Sequence, residues 1–439
     1  MNITGNKDRS RFYTVVLLIA AALGLNGCAS LGEGIARAAL KGNDEKKEDT
    51  RQCSIRGPAF RGIVGDMERQ GSVQGSSGPR ARKLKVLMVH GIGTHLPGYS
   101  TMLAENLARA LRLDVVANQT KEILPETPRL FPGEKLGIVR VNRFTNKGGT
   151  REMLFYELTW SGITEPDKQL IAYDDSGEYS FRRAGLNNTM KTFVNNYFPD
   201  PLIYYGDAHE RIQSAVLQTF CWALSGDWED LQERTASVCD PSKLPLDRLV
   251  GDDYVFISHS LGSRIVTDAL QRIAGLPMDE KVRMTLPGKR WLAALRDKEF
   301  KVFMLANQLP LLQLGRAAPE IAGQFDEYCT ATGAKRDQRV FKRLNVVAFS
   351  DPNDILSWAV EPDYVEKNVD SRVCPTMVNV IINVAEVKDI FGITQVANPG
   401  EAHSGYDRDE RVLGLIANGI GNERVHPLVK QRCTWVETR

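Results

Sequence analysis

"DDYVFISHSLGSRIV", residues 252–266, decides how this chain is read. An apolar run, Tyr254 to Ile257, stops at a cluster of small residues, and an amphipathic run follows at once. That is the pattern of a buried strand passing directly into a helix. Ser260 stands at the join, with Ser258 two positions before it and Gly262 two positions after. So sharp a turn brings those two positions together, and both must be small. It also forces the serine into a strained backbone conformation that lifts its hydroxyl clear of the chain. A serine here can also simply cap the helix. The rest of the chain has to choose between a cap and a nucleophile.

On either side, short apolar runs alternate with helical stretches, which predicts an α/β fold with a mostly parallel sheet covered by helices. The expected strands are 85–90, 136–141, 153–158, 253–258, 300–305, 344–349 and 377–384, and the clearest helical patterns cover 100–111, 210–224 and 264–274. Residues 161–250 are too many for one crossover and predict a mainly helical inserted cap. Twelve of the chain's 34 aromatic residues fall between Trp160 and Trp228. They can line a pocket or fill the insertion's own core.

Three further features sit where a nucleophilic Ser260 needs them. "VLMVHGIGTH" ends a strand in His90-Gly91-Ile92-Gly93, "LNVVAFSDPNDILSW" places Asp351 and Asp354 after a later strand, and "GEAHSGYDRDE" places His403 after the last one. Together these resemble the α/β-hydrolase family, over roughly residues 84–420, with Ser258 in place of the first glycine of its G-x-S-x-G elbow. The resemblance implies a serine nucleophile at Ser260, a base at His403 and an orienting acid, in the family's chain order. It also implies an oxyanion hole made by the N–H groups of Ile92 and Leu261. Asp354, in "NDIL", looks like the family's acid, with Asp351 in reserve as a residue able to brace the turn. Of the six histidines, His403 alone follows the last expected strand ahead of a helix; His426 is assigned to a polar tail.

The N-terminus carries a basic stretch, then the 12-residue apolar run Thr14–Leu25, too short to span a bilayer but sized for a signal peptide. It ends in "LNGC", which resembles the lipobox of bacterial lipoproteins and implies cleavage before Cys28 and diacylation of that cysteine, with palmitate-type chains. Ala29 and Ser30 lack the aspartate that resembles an inner-membrane retention signal, so the outer membrane is expected, with the chain facing the periplasm or the surface. Six cysteines remain, an even number that suits an oxidising compartment; Cys221 with Cys239 is the most local pair. No His/Cys grouping has zinc spacing, so no metal is expected, nor any cofactor. The formal net charge of +2 offers no basic face for nucleic acid.

The expected organisation is a signal peptide over 1–27, a lipidated tether and linker over 28–83, and a catalytic domain over 84–439. The expected activity is hydrolysis of carboxylic esters, small or lipid-like, at a membrane reached through the anchor. The alternatives are a peptidase or amidase, and a hydrolase-fold envelope lipoprotein that binds without catalysing. The sequence does not fix the oligomeric state.

Overall fold

A computed structural model describes residues 51–438, apart from 69–71, 76–77, 176–182, 232, 235, 241–244, 276–285 and 391–393. The expected signal segment and Cys28 lie outside the described residues. The main sheet has 11 strands, counting a two-residue strand at one edge. In spatial order they are β17 (Cys433–Val436), β1 (Cys53–Arg56), β13 (Pro375–Ile382), β12 (Arg343–Ser350), β11 (Glu299–Leu305), β10 (Asp253–His259), β5 (Leu84–Val89), β8 (Glu152–Thr159), β7 (Ile138–Thr145), β6 (Asp114–Pro125) and β9 (Ala236–Ser237). From β13 to β8 every neighbour is parallel; β7 and β6 turn back antiparallel. Three short pairs complete the strands: β2 (Phe60–Arg61) with β16 (Gly419–Ile420), β3 (Ser72–Gly75) with β4 (Gly78–Ala81), and β14 (Val387–Ile390) with β15 (Thr394–Ala397).

The central strands are buried on both faces, and the period of two sorts their side chains between two cores. Leu87, Val89, Phe256, Met304 and Val346 pack under the helices His209–Ser225 and Gly262–Gly275. Val86, Met88, Val255, Ile257 and Phe303 pack under the helices Thr101–Ala110 and Glu410–Asn418. The protein is therefore a mixed α/β fold whose mostly parallel sheet is covered on both faces. No helix among the described residues is long and apolar enough to cross a membrane.

Two expectations need correction. Residues 53–67 do not belong to a tether: β1 pairs with β13, and Cys53 and Ile55 are buried, because the alternation of "CSIR" gives this strand one apolar face. His426 does not lie in a polar tail: it packs on Gly414, and the helix Pro427–Arg432 and β17 follow it. Residues 161–250 divide in two. The helix His209–Ser225 covers the sheet, while Glu165–Ala172, Gly185–Tyr197 and Pro199–Tyr205 follow the carboxyl end of β8. Disulfides join Cys53 to Cys433, Cys221 to Cys239 and Cys329 to Cys374.

From β5 the chain fills one side of the sheet, and from β10 the other. The crevice between the carboxyl ends of β5 and β10 is thus the topological switch point, where ligands of open α/β sheets bind.

Candidate active site

Both motifs end at this switch point. Ser260 follows β10 with φ +56°, a left-handed conformation that costs a non-glycine residue about 1–3 kcal/mol. The surroundings hold it there. Its N–H donates to Leu305 O at 2.9 Å, from the neighbouring β11. A Cβ on Gly262 would lie 2.5 Å from Val89 O, and one on Gly91 would lie 2.4 Å from Ser260 Cβ. Only glycine fits at either position, which joins the "HGIG" and "SHSLG" stretches into one unit. Ser258 is fully buried beside them. Ser260 is fully buried too, and its Oγ has no hydrogen-bond partner among the described residues.

His403, in the helix Pro399–Ser404, lies against Asp354: Nδ1 is 3.0 Å from Oδ1 and 2.9 Å from Oδ2. An ionised carboxylate only accepts, so Nδ1 carries the proton and Nε2 keeps its lone pair. The Asp354 side chain has no exposure while His403 keeps 18%. Asp351 faces elsewhere. Its carboxylate accepts the N–H groups of Asn353, Val384 and Ala385 at 2.7, 2.6 and 3.0 Å, so it braces the turn after β12 against the end of β13.

A second histidine ties His403 to the elbow. His259 Nε2 lies 2.7 Å from His403 O; a carbonyl accepts, so Nε2–H donates. Burial, and then the neighbouring His403, push the pKa of His259 down to about 3, so its ring stays neutral. His403 is thereby held through its backbone by the residue that precedes Ser260. Sequence reading gave His259 no role beyond adjacency, and only the fold brings the 259 and 403 segments together.

The loop after β5 is fixed equally firmly. His90 is buried against Trp160 with ring centroids 4.5 Å apart; its Nε2 accepts Trp160 N–H at 3.0 Å and its Nδ1–H donates to Gly91 O at 2.8 Å. Burial, then His95, hold its pKa well below the ordinary 6.5. His95 Nε2 sits 3.2 Å from Ile92 O. Gly93 N–H donates to Asp200 Oδ2 at 2.6 Å, and a Cβ on Gly93 would lie 2.7 Å from the Tyr197 ring. Asp200 is fully buried, with Lys168 Nζ and Thr164 Oγ1 each 2.8 Å from Oδ1. With Gly93 N–H engaged, the N–H groups of Ile92 and Leu261 enter no hydrogen bond among the described residues. Asp200 gave no sequence signal, because its partner lies 107 residues away.

A cavity of about 180 Å³ opens beside the elbow, lined by His90, His95, Tyr99, His259, Ser404 and Asp407 among others. Another, of about 190 Å³, lies between Phe60 and strands β12 and β13, away from these groups. No group of side chains among the described residues has the makings of a metal site. No family model, curated protein or solved structure matches the chain.

Proposed function

We propose that the protein is a serine hydrolase of the α/β-hydrolase kind that cleaves carboxylic esters, and that Cys28 anchors it to the outer membrane. The observation that carries the reading is the strained, unpartnered Ser260, whose chain neighbour His259 binds the backbone of a histidine with its Nδ1 committed to a buried carboxylate. In this reading His403 Nε2 takes the proton of Ser260 Oγ as that oxygen bonds to the ester carbonyl carbon. Asp354 steadies the imidazolium that results. The carbonyl oxygen takes up the negative charge and meets the N–H groups of Ile92 and Leu261, each contributing about 3 kcal/mol in comparable sites. The C–O bond to the alcohol then breaks and His403 returns the proton to the departing alkoxide. Water, deprotonated by the same histidine, releases the acid and regenerates Ser260. The fixed donors and the helix Gly262–Gly275, whose positive end points at the turn, favour that developing charge. Three disulfides support export to an oxidising compartment.

The test is fluorophosphonate labelling of the folded protein. Labelling that Ser260→Ala abolishes is expected; absence of labelling in the wild type would favour the binding lipoprotein. An ester panel set beside peptide substrates separates esterase from amidase.

A further inference from the structure

We propose that the end of the molecule carrying the site is a bilayer-docking face, occupied by the surface of the membrane to which Cys28 tethers the chain. The inference rests on the anchor reading above and adds an orientation to it. Thirteen of the 19 exposed large apolar side chains among the described residues fall at 96, 170–173, 190–205, 311–314 and 355–358. Each segment follows the carboxyl end of one of the parallel strands β5, β8, β11 and β12. Leu170, Leu202 and Leu314 are 82%, 74% and 75% exposed, where a soluble surface would carry polar groups.

These segments adjoin. Thr94 Oγ1 reaches Glu165 Oε2 at 3.5 Å, Tyr205 OH donates to Leu312 O at 2.6 Å, and Trp358 N–H donates to Asn307 O at 2.9 Å. Of the six remaining apolar side chains, Met102 and Val387 also follow the carboxyl ends of β5 and β13, whereas Val250 lies before the amino end of β10.

The point where the chain enters the fold names the occupant. Arg51 donates to Val384 O and lies 3.6 Å from Asp409, and Cys53 stands opposite Ile382 at the carboxyl end of β13. The segment leading back to Cys28 therefore joins the fold at the same end as the apolar rim. Cys28 precedes Arg51 by 23 residues. Such a tether spans at most about 80 Å. It holds the rim near the bilayer at an effective concentration on the order of millimolar, so weak insertion of a few side chains suffices to orient the molecule.

The test uses the acylated full-length chain in nanodiscs of phosphatidylethanolamine and phosphatidylglycerol. Bimane is placed at Leu202→Cys, Leu314→Cys or Val250→Cys, and doxyl-labelled lipid is the quencher. The expected result is quenching at 202 and 314 and none at 250. Disc-bound protein with all three labels unquenched overturns the proposal. So does a blue shift at 202 that grows with protein concentration without quenching, which would mean that a second copy covers the face. Protein that washes off the discs sinks the anchor reading, and the proposal with it. Leu202→Ser combined with Leu314→Ser should slow hydrolysis of a bilayer-embedded long-chain ester about tenfold or more while leaving a water-soluble short-chain ester unaffected. Equal effects on both esters count against docking. A wild type inactive on both sinks only the hydrolase reading, and the quenching data still decide the orientation.

Discussion

Asp351 and Asp354 stand three residues apart yet occupy different settings, and their substitutions should separate cleanly. Asp354→Asn is expected to cost about 10⁴-fold in turnover with little loss of stability, because it frees His403 to take the wrong tautomer. Asp351→Asn should instead lower stability by about 1–3 kcal/mol, because it weakens a carboxylate that accepts three backbone N–H groups. Turnover per folded molecule should stay near normal; ester turnover paired with chemical denaturation reads both effects. Sequence narrowed the acid to these two, but only the fold shows which reaches the histidine. His259 adds a pH dependence. The unfolded histidine takes up a proton near the ordinary 6.5, whereas the folded one resists until about 3. Between those values the unfolded state binds more protons, so stability falls as pH drops through the window. His259→Gln should flatten that part of the stability–pH curve, as thermal melts across the range would show.

At the scale of elements, the helices after β8 and the loop after β5 are coupled through Asp200. Asp200→Ala removes the acceptor of Gly93 N–H and leaves Lys168 buried without its partner. The Gly91–Gly93 loop should then loosen, lowering kcat about 10²-fold while KM changes little. Asp200→Asn, which keeps an acceptor, should recover part of the loss. A change confined to KM would argue that the clamp serves substrate binding instead. The elements were unequally legible in sequence. All seven expected strands form: β5, β8, β10, β11 and β12 are largely buried and so apolar along their length, while β7 and β13 alternate between buried and part-exposed positions. The missed β6, "DVVANQTKEILP", is an outer strand rich in polar residues, and β1 and β17 are four residues each, too short for periodicity to register. The helix His209–Ser225 showed its apolar stripe, but nothing in sequence said whether that stripe met a cap or the sheet.

For the whole molecule, Cys53–Cys433 closes a span of 380 residues between the adjacent strands β1 and β17, at one side of the sheet. Replacing both cysteines by serine should cost about 2–5 kcal/mol of stability, measurable by denaturation under oxidising conditions, with less effect on turnover because the bond is remote from the elbow. Sequence supplied an even number of cysteines but no pairing beyond the most local one. The same bond has a mechanical consequence. Tension applied between the segment before Arg51 and the C-terminus passes from β1 to β17 through one covalent link. The load bypasses every strand that bears the elbow and the histidine. Pulled by its ends, the oxidised molecule should behave as a short inextensible strap with its working parts slack beside it, and should lengthen in steps only once the sulfurs are parted.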